Sequence, residues 1–424
     1  MKIGLFFIAL IHYVHGLNRM EVVYQWKSID FEYPDRRSRE ESIAKGEFVP
    51  GNAVPLDVDV WNNGVSKKIF VTFPKFKDGI PVALATVSPN GNGEGHLLKP
   101  YPDWSWQAQS NRDCDKLTSV FRTQIDKCGR IWAIDSGMVN LSASGRRQCQ
   151  PQLVVFNLQN DKLSGRHKFS DSLLKEESIL ANLAVDLRSD NCQDAFAYIA
   201  DVTSYALIVF DAKNDKAWQV KSNTMYPYPP YGVFRANNAE FDLMDGILGM
   251  ALAPASVRES WVPVSALRNE RNFDQGENKI PRQFQTSDEA RKSQSIAEAF
   301  DKNGILYFGM MDDNSINCWN SDTAYKSSNI HQLEQDNLNL QFSSGLKIIP
   351  NEKDEEEIWV MTDRFQLLMT GDMKKNEVNF RIVRGKLDDL LRNSPCRKYK
   401  PIVFPNKTEP CTEKYTKPPQ SHYG

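Results

Sequence analysis

The stretch AFAYIADVTSYALIVFDAKNDKAWQV, from Ala195 to Val220, decides the fold. It holds three runs rich in β-branched and aromatic residues, with polar turns near Thr203-Ser204 and Lys213-Asn214-Asp215. Runs of this kind joined by short turns pair as antiparallel neighbours. The stretch therefore predicts three consecutive antiparallel strands, which is most of one blade of a β-propeller.

Short strands of the same kind recur along the chain, and most of them follow a polar or glycine-containing turn. The recurring runs are Lys68–Phe73, Arg130–Asp135, Phe196–Asp201, Trp261–Ser265, Ile305–Met310 and Glu357–Asp363. A spacing of roughly 45 to 65 residues is typical of propeller blades rather than of a doubly wound sheet. Six occurrences predict an all-β fold, a six-bladed β-propeller that occupies residues 17–396 as a single domain.

The overall charge of the chain is close to neutral. Its 424 residues carry 52 Lys and Arg against 54 Asp and Glu, a formal net charge of −2. Such a balance does not favour a nucleic acid or an anionic membrane as a partner. No stretch after the first residues is long and apolar enough to span a bilayer. We therefore expect neither kind of partner.

The two ends of the chain differ from the rest. An apolar run, Ile3–Ile11, follows Lys2 and precedes a small residue, Gly16, so residues 1–16 are predicted to be a secretory signal peptide. An uncleaved anchor would need about 18 or more apolar residues. The last segment, 397–424, contains five prolines and is expected to be extended and partly disordered. The mature protein is thus expected to be secreted and extracellular.

An exported chain favours disulfides over free thiols. Seven cysteines imply three bridges and one leftover thiol, for which Cys411 in the tail is the candidate. The absence of a C-x-x-C pair disfavours a zinc ribbon or a thioredoxin-type site. Two sequons, at Asn140 and Asn406, are candidate glycosylation sites on exposed loops.

Familiar catalytic motifs do not occur in the sequence. It has no G-x-S-x-G elbow, no H-E-x-x-H and no Walker loop, and its few histidines are far apart. We therefore expect no metal site and no cofactor, and the motifs assign no catalytic residue. Carboxylates at the ends of three recurrent strands, Asp135, Asp201 and Asp363, offer two interpretations. They could converge at one end of the channel to hold a cation, or they could cap turns.

Several stretches of the chain resemble the insect yellow and major royal jelly protein family. The matching segments are HLLKPYPDWSWQ (96–107), SVFRTQIDKCGRIWAIDSG (119–137), FAYIADVTSYALIVFD (196–211), DGILGMALAP (245–254), INCWN (316–320), IWVMTDRFQ (358–366) and EVNFRI (377–382). They are in order and extend over most of the chain, from about residue 24 to 396. The resemblance implies one six-bladed propeller.

The resemblance also implies a cysteine pairing. The yellow branch carries cysteines at the positions of Cys128 and Cys192, and the royal jelly branch generally lacks both, so a Cys128–Cys192 bridge is expected. The alternative is that one of them pairs with Cys114 or Cys149. For the remaining four, Cys114 with Cys149 and Cys318 with Cys396 is the simplest local pairing, which the sequence cannot fix.

The resemblance implies three alternative functions, of which the first is ligand binding. Salivary members bind biogenic amines through an Asn-Arg-Phe triplet, and here the matching triplet is Asp363-Arg364-Phe365, with a hydroxyl near Ser343 or Ser344. We expect a small aromatic amine or a catechol-derived ligand in the channel, bound by Asp363, Phe365, Ser344 and Asp135. The alternative for Asp363 and Phe365 is a turn cap and a ring packed between blades.

The second is an isomerase of the dopachrome-converting type in melanin formation. It would need a base, Asp363 or Asp135, and a cation, Arg364 or Arg122. The third is a nutritional or glandular protein without a specific ligand. The preferred reading is a binding protein in cuticle pigmentation or glandular secretion.

Overall fold

The computed structural model describes residues 19–91, 95–108, 113–247 and 257–398. The expected signal peptide, residues 1–16, lies outside this range, as do the sequon at Asn406, the thiol of Cys411 and nearly all of the tail. Within the described ranges, no helix is long and apolar enough to cross a membrane.

Five four-stranded antiparallel sheets form the body of the molecule, and we name them blades A to E in chain order of their first three strands. Blade A comprises Val58–Asn62, Lys67–Thr72, Leu84–Gly91 and His96–Pro100, and blade B comprises Val120–Ile125, Arg130–Asp135, Gln152–Asn157 and Lys162–Lys168. Blade C comprises Leu180–Leu187, Ala195–Asp201, Ala206–Asp211 and Lys216–Lys221, and blade D comprises Glu298–Phe300, Ile305–Met310, Ser315–Asn320 and Ile330–Gln335. Blade E comprises Ser343–Pro350, Glu356–Thr362, Phe380–Lys386 and, last, Met20–Trp26. In each blade the strand given first is the inner one and the strand given last is the outer one.

Short elements connect the blades. Two-stranded pairs join Met138–Val139 with Arg146–Arg147, Val233–Ala236 with Ala239–Asp242, and Ser260–Trp261 with Gln285–Thr286. The α-helices are Arg36–Ala44, Val264–Leu267, Phe365–Thr370 and Leu387–Leu390, and the 3₁₀ turns are Trp104–Trp106, Asn223–Met225, Pro229–Tyr231, Glu270–Gly276, Pro281–Gln283 and Ser327–Asn329.

A shared turn explains why two of the recurrent strands form where they do. Asp126 and Asp301 each begin an Asp-Lys-x-Gly sequence, and each Oδ1 accepts the backbone N–H groups two and four residues later, at 2.8 to 3.1 Å. The glycines of the two turns, Gly129 and Gly304, have φ of 69° and 77°, a left-handed conformation that side chains disfavour. This turn reverses the chain from the inner strand into the second strand of blades B and D.

Five of the six predicted strands are confirmed, and each is the second strand of a blade. The sixth, Trp261–Ser265, is wrong as a strand. Only Ser260–Trp261 is extended, and a helix begins at Val264. Pro263 explains the difference, because it has no N–H to donate to a neighbouring strand. The all-β propeller is thus shown, whereas a count of six blades is not confirmed by the described residues.

The blades are arranged as an incomplete ring around their inner strands. Neighbouring inner strands contact one another in the order D, E, A, B, C. Between blades C and D lie the two short strand pairs at 233–242 and 260–286. The N-terminal strand is the outer strand of blade E, with Met20 opposite Gly385 and Trp26 opposite Phe380. The last blade is therefore built from both ends of the propeller sequence.

Three disulfides connect the loops: Cys114–Cys149, Cys128–Cys192 and Cys318–Cys396. The second is the pairing that the resemblance implies, and it joins blade B to blade C with the two Cα atoms 6.2 Å apart. The third ties the middle of blade D to the chain that follows blade E. These bridges hold consecutive parts of the ring together.

Candidate functional site

Three buried aspartates occupy the same place in their blades. Asp135 and Asp201 end the second strands of blades B and C, and Asp363 directly follows the second strand of blade E. In each case the adjacent inner strand begins at this end, as in the pairs Val120–Asp135 and Leu180–Asp201. All three carboxylates therefore lie toward one end of the propeller, which we call the mouth.

Asp135 is engaged by its own blade. Its carboxylate accepts the backbone N–H groups of Thr118 and Ser119, each at 2.8 Å, and that of Gly137 at 3.0 Å. It also accepts the side-chain amide of Gln152 at 3.2 Å. Four donors use most of the capacity of one carboxylate. Asp135 thus fastens the start of the inner strand to the turn that follows the second strand.

Asp201 caps its turn in a similar way. Its Oδ2 accepts the hydroxyl of Ser178 at 2.6 Å, and its Oδ1 accepts the N–H of Ser204 at 3.2 Å. Burial raises the pKa of Asp201, against the lowering effect of these hydrogen bonds. The hydrogen bonds found in the described residues do not join any of the three carboxylates to another, so they form no common cage.

Asp363 differs from the other two aspartates in the hydrogen bonding of its two carboxylate oxygens. Its Oδ1 accepts the N–H of Phe365 at 2.8 Å, as a turn cap does. Its Oδ2 is buried without a well-aligned hydrogen-bond partner among the described residues. The side chain is 1% exposed. Burial raises the pKa of Asp363 to about 8, although the Ser344 hydroxyl and the positive charge of Arg122 both act to lower it.

Arg122 extends from the inner strand of blade B across the axis of the ring. Its guanidinium donates to the carbonyl of Ser344 in blade E at 2.5 Å and to the carbonyl of Ile296, just before blade D, at 3.1 Å. A third bond reaches Asp57, at the start of blade A, at 3.4 Å. Arg122 is 3% exposed, and burial lowers its pKa, which the charges of Asp57 and Asp363 oppose. One cation therefore links four blades.

A second group of charges lies beside Arg122 on the inner strands. Asp57 accepts the N–H of Thr123 and the ammonium of Lys347, both at 3.1 Å. Asp59 accepts two backbone N–H groups, and burial raises its pKa to about 7, with Lys347 acting to lower it. Sequence reasoning missed Asp57, Asp59 and Lys347. The alternation in LDVDV (56–60), which places both aspartates on one face of a strand, was the available signal.

Three aromatic rings surround Phe365, whose backbone N–H Asp363 accepts. Phe365 stacks on Phe342 with ring centroids 4.9 Å apart, and it meets Phe76 and Phe241 edge-on at 5.3 and 6.0 Å. Phe365 is 7% exposed, so it packs between blades in this structure. Phe342 has φ of 41°, a region that bulky residues rarely adopt. A ligand ring could stack on Phe365 only after Phe342 or Phe76 moved.

The other predicted site residues are placed as follows. Ser344 is fully buried beside Asp363, and its hydroxyl reaches the carbonyl of Met361 at 3.4 Å. Arg364 donates to Glu377 at 2.5 Å and so is engaged away from Asp363. Asn140 lies in a turn at φ 54°, where its side chain is partly exposed. Within the described ranges, no three or more His, Cys, Asp or Glu side chains are grouped so as to hold a metal ion.

Comparisons with known proteins agree on one family. Its sequence model, described as Major royal jelly protein, matches residues 118–396. Dopaminechrome tautomerase of Drosophila melanogaster is 34% identical over 398 residues, 89% of this chain and 84% of the relative. Major royal jelly protein 9 of Apis mellifera is 35% identical over 405 residues, 91% and 92% of the two chains. Protein yellow of Drosophila erecta is 29% identical, over 92% of this chain and 73% of that protein. The chain therefore belongs to the major royal jelly protein family.

Proposed function

We propose that this protein is secreted and binds a small aromatic amine or catechol-derived ligand at the mouth, and that it acts in cuticle pigmentation or glandular secretion. The observation that carries the proposal is the buried Oδ2 of Asp363, which has no well-aligned hydrogen-bond partner among the described residues, together with the stacked rings of Phe365 and Phe342. A carboxylate can pair with an ammonium group, and aromatic faces suit an indole or catechol ring. The three disulfides and the yellow relatives support export and a role in pigmentation.

Binding requires two local changes. A ring must leave Phe365, and Phe342 is the one we expect to move, because its backbone is strained. Asp363 must also lose a proton, since its pKa of about 8 keeps it largely neutral at pH 7. Binding of an ammonium ligand is therefore accompanied by release of the Asp363 proton. Its affinity should fall about tenfold for each pH unit below about 8.

We expect calorimetric titration with dopamine, serotonin and a dopachrome-like indole to detect binding of at least one of them, more tightly at pH 8 than at pH 6. Asp363→Asn should weaken amine binding and abolish its pH dependence, because the carboxylate is gone. Phe365→Leu should cost about 0.5 to 1.5 kcal/mol beyond lost contact area.

Phe300→Leu, which alters an exposed ring of blade D, is the matched control and should leave binding unchanged. A folded protein that gives no heat with any of the three compounds would remove the ligand site. The nutritional or glandular role without a specific ligand would then stand, supported by the similarity to major royal jelly protein 9.

A second candidate function is tautomerisation of an aminochrome, and two observations favour it. A relative 34% identical is named dopaminechrome tautomerase, and the buried guanidinium of Arg122 donates to the carbonyl of Ser344, whose hydroxyl lies beside the buried carboxyl of Asp363. Such an isomerisation moves a proton from carbon to a quinoid oxygen without an oxidant. Asp363 would take the carbon-bound proton and Arg122 would stabilise the negative oxygen. Asp135 is less suitable as the base, because its carboxylate already accepts hydrogen bonds such as that from the Thr118 N–H. Arg364 is less suitable as the cation, because it donates to Glu377.

If Asp363 is the base, kcat/KM for aminochrome conversion should rise with pH and level off above about 8, as the carboxyl loses its proton. Absorbance of the coloured substrate follows the reaction. Asp363→Asn should lower kcat/KM about 100-fold or more. Asp201→Asn, a buried aspartate in the same structural place, is the control and should retain the profile. Binding without turnover would leave the first proposal standing and reject this one.

The finer features of the molecule also remain proposals. We propose that residues 222–247 and 257–297, between blades C and D, supply a sixth blade, since the inner strands of the five blades contact one another in the order D, E, A, B, C and this segment separates C from D in the chain. We further propose cleavage of residues 1–16, glycosylation at Asn140 and Asn406, and participation of Ser344 and Asp135 in lining the mouth. Mass spectrometry of the secreted protein tests the modifications, and a crystal structure tests the blade count.

A further inference from the structure

Four tyrosines form two ring pairs on the mouth face, next to blade C. Tyr205, in the turn after Asp201, lies against Tyr226, with ring centroids 4.9 Å apart. Tyr228 stacks on Tyr231 at 5.7 Å, with an angle of 28° between the rings. Three of them belong to the segment YPYPPY (226–231), which sequence analysis did not single out. Neither pair contributes to the site at Asp363.

The two pairs combine exposure with a fixed position. Tyr226 and Tyr228 are 52% and 54% exposed, and they are the only tyrosines in the described ranges whose surface is open to this degree. Their segment is held at one end by Met225, which is buried in the core, and at the other by Gln294. The Gln294 amide donates to the carbonyls of Tyr231 and Val233 at 2.8 and 2.9 Å. One ring of each pair is thus accessible to a reagent, and it lies against a half-buried partner ring.

We propose that these pairs, Tyr205–Tyr226 first, are a site of oxidative phenol coupling within one molecule. A one-electron oxidant, such as a peroxidase with hydrogen peroxide, removes one electron from each phenol, and each phenol loses its hydroxyl proton. The two phenoxyl radicals join through a carbon–carbon bond between ring carbons next to the hydroxyl-bearing carbons, and the hydrogens on those carbons move to the oxygens. Two phenols and one hydrogen peroxide give one dityrosine and two water molecules.

Proximity is the physical reason for expecting coupling at these positions. A phenoxyl radical held beside its partner reacts within the molecule at a high effective concentration, before it meets a second chain. Tyr205 belongs to blade C, whereas Tyr226 belongs to the loop that leaves it. A bond between them would fix that loop to the blade. This inference does not depend on a ligand at Asp363.

The test treats the full-length secreted protein with peroxidase and hydrogen peroxide, follows dityrosine fluorescence, and maps cross-linked peptides from the monomer by mass spectrometry. We expect a peptide that joins Tyr205 to Tyr226, accompanied by a loop-linked peptide from Tyr228 and Tyr231. Tyr205→Phe keeps the ring and removes the phenol, so it should abolish the first product and leave the second. Tyr33→Phe, a partly buried tyrosine elsewhere, should change neither.

Denaturation provides the contrasting condition, because urea separates the rings. The same treatment in urea should spread coupling over many tyrosines and lose the two specific products. The proposal is overturned if the folded protein yields only cross-links between molecules. It is also overturned if the cross-linked peptides from the folded protein are the same as those formed in urea. The same holds if Tyr205→Phe does not lower the yield of the cross-linked peptide at Tyr226, measured by mass spectrometry and dityrosine fluorescence.

Discussion

Replacing Arg122 with methionine is expected to lower the free energy of unfolding by about 3 to 5 kcal/mol. The guanidinium is buried and bonds to the carbonyls of Ser344 and Ile296 and to the carboxylate of Asp57. Methionine fills much of the same space but donates no hydrogen bond to the two carbonyls, and it leaves Asp57 with Lys347 as its remaining cation. Removing one partner of a buried charge pair costs more than removing both.

Denaturant unfolding at pH 7, followed by circular dichroism, measures this change. Arg36→Met is the matched control, because Arg36 makes an ion pair with Glu40 on an exposed helix and its loss should have little effect. The double variant Asp57→Asn with Arg122→Met should recover part of the lost stability. Equal unfolding midpoints for Arg122→Met and the unmodified protein would show that Arg122 does not hold the blades together.

Removal of the Cys128–Cys192 bridge by serine substitution at both positions should lower the free energy of unfolding by about 4 kcal/mol. The two cysteines are 64 residues apart, so the bridge greatly restricts the unfolded chain. It also links the turn before the second strand of blade B to the turn before the second strand of blade C. Urea unfolding under non-reducing conditions gives the difference directly.

An ion pair across the same two turns offers the control for this variant. Lys127 lies 2.6 Å from Asp190, close to the disulfide, but Asp190 is fully exposed. Asp190→Asn should therefore change the unfolding midpoint little, since exposed pairs are screened by water and salt. If both variants shift the midpoint by the same amount, the covalent link is not what stabilises this junction.

The second strands of the blades were predictable because each carries its own local signal. An Asp-Lys-x-Gly turn precedes two of them, and apolar β-formers follow in all five. The inner strand of blade D, Glu298–Phe300, is only three residues long and gives no such signal. The strand prediction for Trp261–Ser265 was wrong for the opposite reason. Its apolar residues resemble a strand, but Pro263 interrupts the hydrogen bonds that a neighbouring strand would need.

The candidate site was predictable only in part. Asp363 was found because it ends a recurrent strand, and the resemblance added Phe365. The contacts among Asp57, Arg122 and Ser344 were not predictable, because these residues come from three blades far apart in sequence and meet only when the ring forms. Nor could sequence reveal that Phe342 and Phe76 cover Phe365, since ring packing depends on how blades approach each other.

The outer strand of blade E has a consequence for biosynthesis. Met20–Trp26 is synthesised long before its partner strand, Phe380–Lys386, because every other strand of the five blades lies between them in the chain. Blades A to D can therefore fold while the chain grows, but the N-terminal strand stays unpaired throughout, with an open edge that invites aggregation. Pairing across nearly the whole chain is also intrinsically slow. Blade E therefore completes late, and an unpaired Met20–Trp26 strand has to stay out of other sheets until Phe380–Lys386 has been made.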